Sequence, residues 1–197
     1  MPFTQNIDGL DLQLDLSEDK VVNVHGALGK ISCEFCQTKC RKEDFLNSLN
    51  MQVKDIYNPS NGPSKSTPIL CSSCNNRPGL KPSTILYGRH LPGIVFQSMD
   101  TYLPNCNLLF VMGTSLTVYP AAGIPDWVGE NCKRVLVDKE YCEAFEDQKM
   151  SDYFLQGTCD ERVLEVIEAA GWMNDIENYK DRMCENSQAL LENWQKM

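Results

Sequence analysis

Hydrophobic positions follow two different patterns along this chain. Before residue 93 they form short runs broken by polar and turn-forming residues. One such run, Val21-Val22-Asn23-Val24, reads as a short buried strand leading straight into His25-Gly26. Residues 1–30 therefore predict a loop, a short helix and a strand ending at His25. The spacing from Arg41 to Met51 predicts a helix with Phe45 and Leu46 turned inward and Leu49 following. The stretch Asn58–Pro68 has the Pro, Gly, Ser and Asn content of a flexible loop. From residue 93 onward α and β patterns alternate. Asn107–Met112 is a continuous apolar run before a glycine, as expected of a strand buried on both faces of a parallel sheet. A helix over Pro120–Val128, a strand over Arg134–Asp138 and a helix over Glu161–Ala170, capped by Cys159-Asp160, follow. The polar tail from Asp175 to Met197 predicts a helix with Leu190, Leu191 and Trp194 on one side, either docked or frayed. This alternation places the chain in the α/β class.

Composition narrows the chemistry. With 197 residues, 42% hydrophobic and 23% charged, the chain can bury a sizeable core. No stretch approaches the roughly 18 consecutive apolar residues of a membrane helix. No basic-then-apolar leader opens the chain, so an intracellular protein, cytoplasmic or nuclear, is expected. The net charge of −9 disfavours direct binding to nucleic-acid phosphates and is compatible with a basic peptide partner such as a lysine-rich tail.

Five of the ten cysteines fall within residues 31–92. Without a secretory leader, paired C-x-x-C spacing points to metal rather than to disulfides. Cys33-x-x-Cys36 and Cys71-x-x-Cys74, with 34 residues between them, supply the four soft ligands of tetrahedral zinc. Cys40 is an alternative ligand, since Cys36-x-x-x-Cys40 could also chelate. Four thiolates close the coordination sphere, so the ion is expected to be structural.

Two further groups carry candidate chemistry. A buried strand ending in Gly113-Thr114-Ser115 before a helix is where α/β sheets bind nucleotides: the glycine lets backbone approach, and the hydroxyls and amides can meet phosphate or ribose. Asp138, ending the next strand, can accept from ribose hydroxyls or simply cap the strand. Near the N-terminus the polar pentad Thr4-Gln5-Asn6-Ile7-Asp8 precedes His25, whose side chain ordinarily titrates near neutral pH and suits a general base.

In this order, pentad, His25-Gly26, two C-x-x-C pairs and Gly-Thr-Ser, the chain resembles the sirtuins, the NAD-dependent protein lysine deacylases. The resemblance implies a Rossmann-like parallel sheet with an inserted small zinc-binding domain, NAD as cofactor and one structural zinc ion. It implies acylated lysine peptides or proteins, histones among them, as partners. In that family the acetyl oxygen attacks the nicotinamide riboside carbon, nicotinamide leaves, and a histidine base activates a ribose hydroxyl against the resulting imidate. On this chain the base is His25. Gln5 and Asn6 would bind the nicotinamide ribose and a water, and Asp8 with the Ile7 backbone would hold the carboxamide. Gly113, Thr114 and Ser115 match the NAD-contacting turn. Asp138 stands where the family usually has asparagine, and Cys159, within Gly157-Thr-Cys159-Asp160, matches an element near the adenine. Tyr87-Gly88 matches the substrate strand, with Arg89 in place of the family's acid. Gly123-Ile-Pro-Asp126-Trp127 echoes a phrase of the family's cofactor loop but falls at a helix position and is not assigned to it.

The resemblance spans residues 4–172. The family's first strand, Gly-Ala-Gly loop and cofactor loop have no counterpart before Thr4. A fragment of an active deacylase, a catalytically inactive zinc-binding interaction module, and a chain completed by a partner remain open. The expected division is residues 1–30, catalytic loop and strand; 31–92, zinc-binding domain and substrate strand; 93–174, the C-terminal part of the NAD-binding domain; and 175–197, a helical tail.

Overall fold

The computed structural model describes residues 1–14, 16–145 and 152–196. They form two compact units, Met1–Ser98 and Met99–Met197. In the first, β1 (Phe3–Thr4) pairs in parallel with β2 (Val22–Asn23). The strand expected over Val21–Val24 thus shrinks to two residues. Val24 and His25 form a turn, because the chain reverses there into β3 (Gly26–Cys33). That turn requires glycine. Gly26 has φ +75°, and a Cβ on it would lie 1.7 Å from the Ser83 carbonyl oxygen.

Strand β3 is the centre of a three-stranded antiparallel sheet, flanked by β4 (Lys39–Cys40) and β5 (Leu80–Thr84). Its buried residues Ala27, Ile31 and Cys33 all fall on one side of the strand; the exposed Leu28 and the adjacent Gly29 mask this period in the sequence, and the pairing with β5 is irregular between Ala27 and Ile31. Helix α1 (Lys42–Gln52) follows with Phe45 buried. Leu46, expected inward, is exposed: the i, i+4 pair Phe45 and Leu49 defines the inner face, and Leu46 lies one residue round the helix from it. Residues 58–68 hold turns and bends only. Helix α2 (Gly93–Tyr102) contains the division between the units.

In the second unit β6 (Leu108–Met112), β7 (Lys133–Asp138) and β8 (Asp152–Gln156) form a parallel sheet in the order β6-β7-β8. The run expected to be buried on both faces is β6, yet it is an edge of this sheet, with Val111 buried and Leu108 and Met112 exposed. The doubly buried strand is β7, where Arg134 through Val137 are all inside. Val111, Leu116, Ala122, Leu136, Cys142 and Phe145 form one core cluster. The helix expected over 120–128 is a 3₁₀ helix over Ala121–Asp126, since Pro125 inside it can donate no backbone hydrogen bond.

Helix α3 (Cys159–Ala169) begins two residues earlier than its apolar spacing suggests. Its cap is Thr158, not Cys159-Asp160. The Thr158 hydroxyl accepts from the Glu161 N–H, and the Glu161 carboxylate accepts from the Thr158 N–H and hydroxyl. The tail is not one helix. It breaks into α4 (Met173–Glu177), a 3₁₀ turn over Lys180–Arg182 and α5 (Glu185–Trp194), separated by extended backbone at Met183 and Cys184. Leu191 is buried, Leu190 and Trp194 half-buried. The Trp194 Nε1–H to Glu168 and the Ser187 hydroxyl to Asp160 dock α5 on α3. Met197 lies outside the described residues. Among these, no helix is long and apolar enough to cross a membrane.

Candidate active-site segments and metal centre

Three ties hold the N-terminal pentad against the β2–β3 turn. The Val24 N–H donates to the Thr4 carbonyl, His25 Nδ1 lies 3.1 Å from the Gln5 carbonyl, and the Leu28 N–H donates to the Ile7 carbonyl. A carbonyl can only accept, so Nδ1 carries the proton in this contact, and in the neutral ring the lone pair is on Nε2. The His25 carbonyl accepts from the Ile85 N–H, which fixes the residue to the end of β5 as well. Asp8 is anchored locally through one carboxylate oxygen, which accepts from the Leu10 N–H. The Thr4 hydroxyl accepts from the Asn6 N–H. His25, Gln5, Asn6, Ile7 and Asp8 are therefore brought together, on separate elements, by backbone carbonyls that the sequence does not reveal.

Tyr87 and Gly88, expected in an extended strand, lie instead in a turn closed by the Arg89 N–H on the Leu86 carbonyl. Tyr87 is 96% exposed, and a Cβ on Gly88 would meet nothing within 4 Å.

The two C-x-x-C pairs converge. Cys33 ends β3 and Cys36 sits in the following turn, where the Gln37 N–H donates to the Cys33 carbonyl. Cys71 precedes and Cys74 ends a 3₁₀ turn over Ser72–Cys74; the Cys71 N–H donates to the Arg77 carbonyl, and the Arg77 N–H donates to the Cys74 carbonyl. The four sulfurs lie within 4.8 Å of one another, with Cys33 to Cys74 at 3.5 Å and Cys36 to Cys71 at 3.7 Å. A zinc tetrahedron with Zn–S bonds of about 2.3 Å has sulfur–sulfur edges of about 3.8 Å, so this donor set could hold one zinc ion. Charge agrees. Hydrogen bonding from Thr38 holds the Cys36 thiol down to about 6, while burial pushes Cys74 up to about 12. Four sulfurs this close do not ionise together unaided, and a bound dication would supply the missing charge. Cys40 is outside this group, its sulfur on the Arg41 carbonyl.

In the second unit the parallel strands deliver their carboxyl ends to one cleft of about 430 Å³, lined by Gly113, Thr114, Ser115, Asp138, Gly157 and Cys159 among others. Gly113 has φ +59°, and a Cβ there would approach the Cys159 sulfur to 3.3 Å. The Thr114 hydroxyl accepts from the Leu116 N–H, and the Ser115 and Thr117 hydroxyls are 3.1 Å apart. One Asp138 oxygen accepts from the Glu140 N–H, and Cys159 faces the Val137 carbonyl. Burial raises the Cys159 thiol, which is thus a poor nucleophile. Arg162 Nε, beside Gly157, is buried with no hydrogen-bond partner, an orphan N–H suited to an acceptor.

This convergence has a counterpart among known proteins. The model of the Sir2 family matches residues 1–120. The chain belongs to the Sir2 family. It is 30% identical over 183 residues to the NAD-dependent protein deacetylase hst2 of Schizosaccharomyces pombe, covering 93% of this chain and 50% of that one. To the NAD-dependent protein deacetylase sirtuin-2 of Danio rerio it is 28% identical, covering 91% and 48%. The chain thus spans about half the length of these curated relatives. The structure of Sir2Tm bound to a propionylated peptide superposes with a TM-score of 0.65 at 26% identity, over 86% of this chain and 63% of that one. A Sir2 structure with a p53 peptide and NAD+ gives 0.64 over 86% and 62%. The α/β class, with a cysteine cluster able to take zinc, is the Sir2 fold.

Sequence reasoning missed Lys139 as a cleft residue and Arg134 as a buried cation. Arg134 was legible in principle, as one charge at the head of the apolar run Val135-Leu136-Val137. It lies side by side with Asp152 across β7 and β8 and makes a two-point contact with it.

Proposed function

We propose that this chain carries the base and part of the cofactor site of an NAD-dependent protein lysine deacylase, which transfers the acyl group from lysine to ADP-ribose and releases nicotinamide. The observation that carries the reading is the meeting of Gly113-Thr114-Ser115, Asp138 and Cys159 at the carboxyl ends of three parallel strands, where α/β sheets take nucleotides. His25 supports the chemistry: with Nδ1 donating to the Gln5 carbonyl, Nε2 is oriented to take a proton from a ribose hydroxyl.

In this reading the Gln5 and Asn6 amides orient ribose hydroxyls and a water without adding charge, and Asp8 with the Ile7 backbone holds the carboxamide. The Gly113 turn and Ser115 receive phosphate or ribose oxygens, and Asp138 accepts from adenosine ribose hydroxyls. NAD supplies the leaving group and the acyl acceptor. Zinc, held by Cys33, Cys36, Cys71 and Cys74, fixes the fold of residues 31–92 and takes no part in proton transfer. Acylated lysine peptides or proteins are the substrates, docking beside Tyr87 and Gly88.

The test is mass spectrometry of an acetyl-lysine peptide incubated with NAD and the zinc-loaded chain, beside His25→Ala. Deacetylated product that vanishes in the variant is expected. A folded, zinc-loaded chain that neither binds NAD nor forms product would refute the reading and leave a zinc-stabilised interaction module.

A further inference from the structure

The cleft beside the Tyr87–Gly88 turn has a charge opposite to that of the whole chain. About 300 Å³ of space is lined by Ser32, Glu34, Lys81, Ser83, Arg89 and His90, with uncharged polar and apolar neighbours. Two of these side chains, Lys81 and Arg89, are cationic and one, Glu34, is anionic, in a chain whose net charge is −9. The Lys81 ammonium is held by the backbone carbonyls of Pro82, at 3.2 Å, and Thr84, at 2.7 Å; carbonyls leave its full positive charge in place. Arg89 pairs with Glu34 through one terminal nitrogen and is still 65% exposed, so donors of its planar fork remain open to a second carboxylate. The Ser32 and Ser83 hydroxyls, 2.8 Å apart, add donors between the charges. A lysine-rich segment would meet like charge here, whereas a carboxylate would find charge-assisted donors.

We propose that this cleft receives acidic side chains of the peptide, so that the chain selects acyl-lysine sites flanked by aspartate or glutamate rather than by lysine or arginine. The inference rests on the reading of Tyr87 and Gly88 as the docking turn. Arg89 is its main determinant, being the basic side chain nearest that turn in sequence and having donors of its fork beyond the Glu34 contact.

Two fluorescein-labelled acetyl-lysine peptides, identical except for glutamates or lysines flanking the acetyl-lysine, provide the test by fluorescence anisotropy. The glutamate peptide should bind about fivefold tighter at low salt, the scale of one or two exposed charge contacts. The preference should shrink toward unity in about 1 M salt, where the Debye length falls to about 3 Å. Arg89→Gln should weaken the preference and Arg89→Glu should reverse it. Equal binding, a preference for the lysine peptide, or no binding of either peptide overturns the inference. The deacylase reading is separable. Turnover of both peptides without preference would remove this inference alone, whereas selective binding without NAD-dependent turnover would remove the deacylase reading alone.

Discussion

Asp152→Ala puts the structure's most buried charge at risk. Arg134, on the central strand, is 1% exposed, and its guanidinium makes a two-point contact with the Asp152 carboxylate: Nε to Oδ1 at 2.8 Å and Nη2 to Oδ2 at 2.5 Å. A weaker contact runs from Nη1 to the Pro125 carbonyl at 3.4 Å, and the group stacks 4.6 Å over the Phe145 ring. The exposed Asp126, at 3.5 Å, cannot replace Asp152, because its carboxylate meets only one nitrogen. Removing Asp152 leaves an uncompensated cation inside the sheet, and breaking such pairs costs about 3–5 kcal/mol. Against a total stability of about 5–15 kcal/mol, the second unit should melt at least ~12 °C lower. Replacing both partners with apolar residues of similar volume, Arg134→Met with Asp152→Leu, should recover most of the loss, since no buried charge then remains. Urea unfolding followed by circular dichroism measures both. A loss below about 1 kcal/mol in Asp152→Ala, or a double variant no better than the single, would refute the argument. The cleft should register the change too: Asp152 opens β8, and the cleft residue Gly157 directly follows that strand.

Three other outcomes are expected. One zinc ion per chain should be found by atomic emission; Cys71→Ser should abolish it and Cys40→Ser retain it, and zinc should be released as pH falls because protons compete for the thiolates. Gly26→Ala should destabilise by more than ~2 kcal/mol in thermal melts, combining a left-handed φ with a methyl driven into the Ser83 carbonyl, and normal melting would contradict the turn geometry. The Thr158 hydroxyl holds the Glu161 carboxyl below its ordinary value, so this stabilisation is complete above that value and is lost as pH falls through the lowered one. Glu161→Gln should therefore flatten the acid limb of the stability profile, and an unchanged limb would count against the capping box.

The sequence by itself determined the local and the compositional features. Paired C-x-x-C spacing was enough for the metal cluster, because zinc dictates both ligand type and ligand number. The strand at 134–138 and the helix after residue 160 were legible because burial imposes a period. Tertiary structure decided what depends on partners distant in sequence. Which strand is central follows from pairing order, so the apolar β6 became an edge and the Arg-bearing β7 the core. The eight-residue β3 escaped detection because the exposed Leu28 and the adjacent Gly29 obscure the alternation that reveals a strand. His25 could be picked out by its neighbours, but the proton on Nδ1 is set by a carbonyl twenty residues away, and no local pattern encodes that contact. Backbone carbonyls look the same in every sequence, and only the fold decides which side chain meets them.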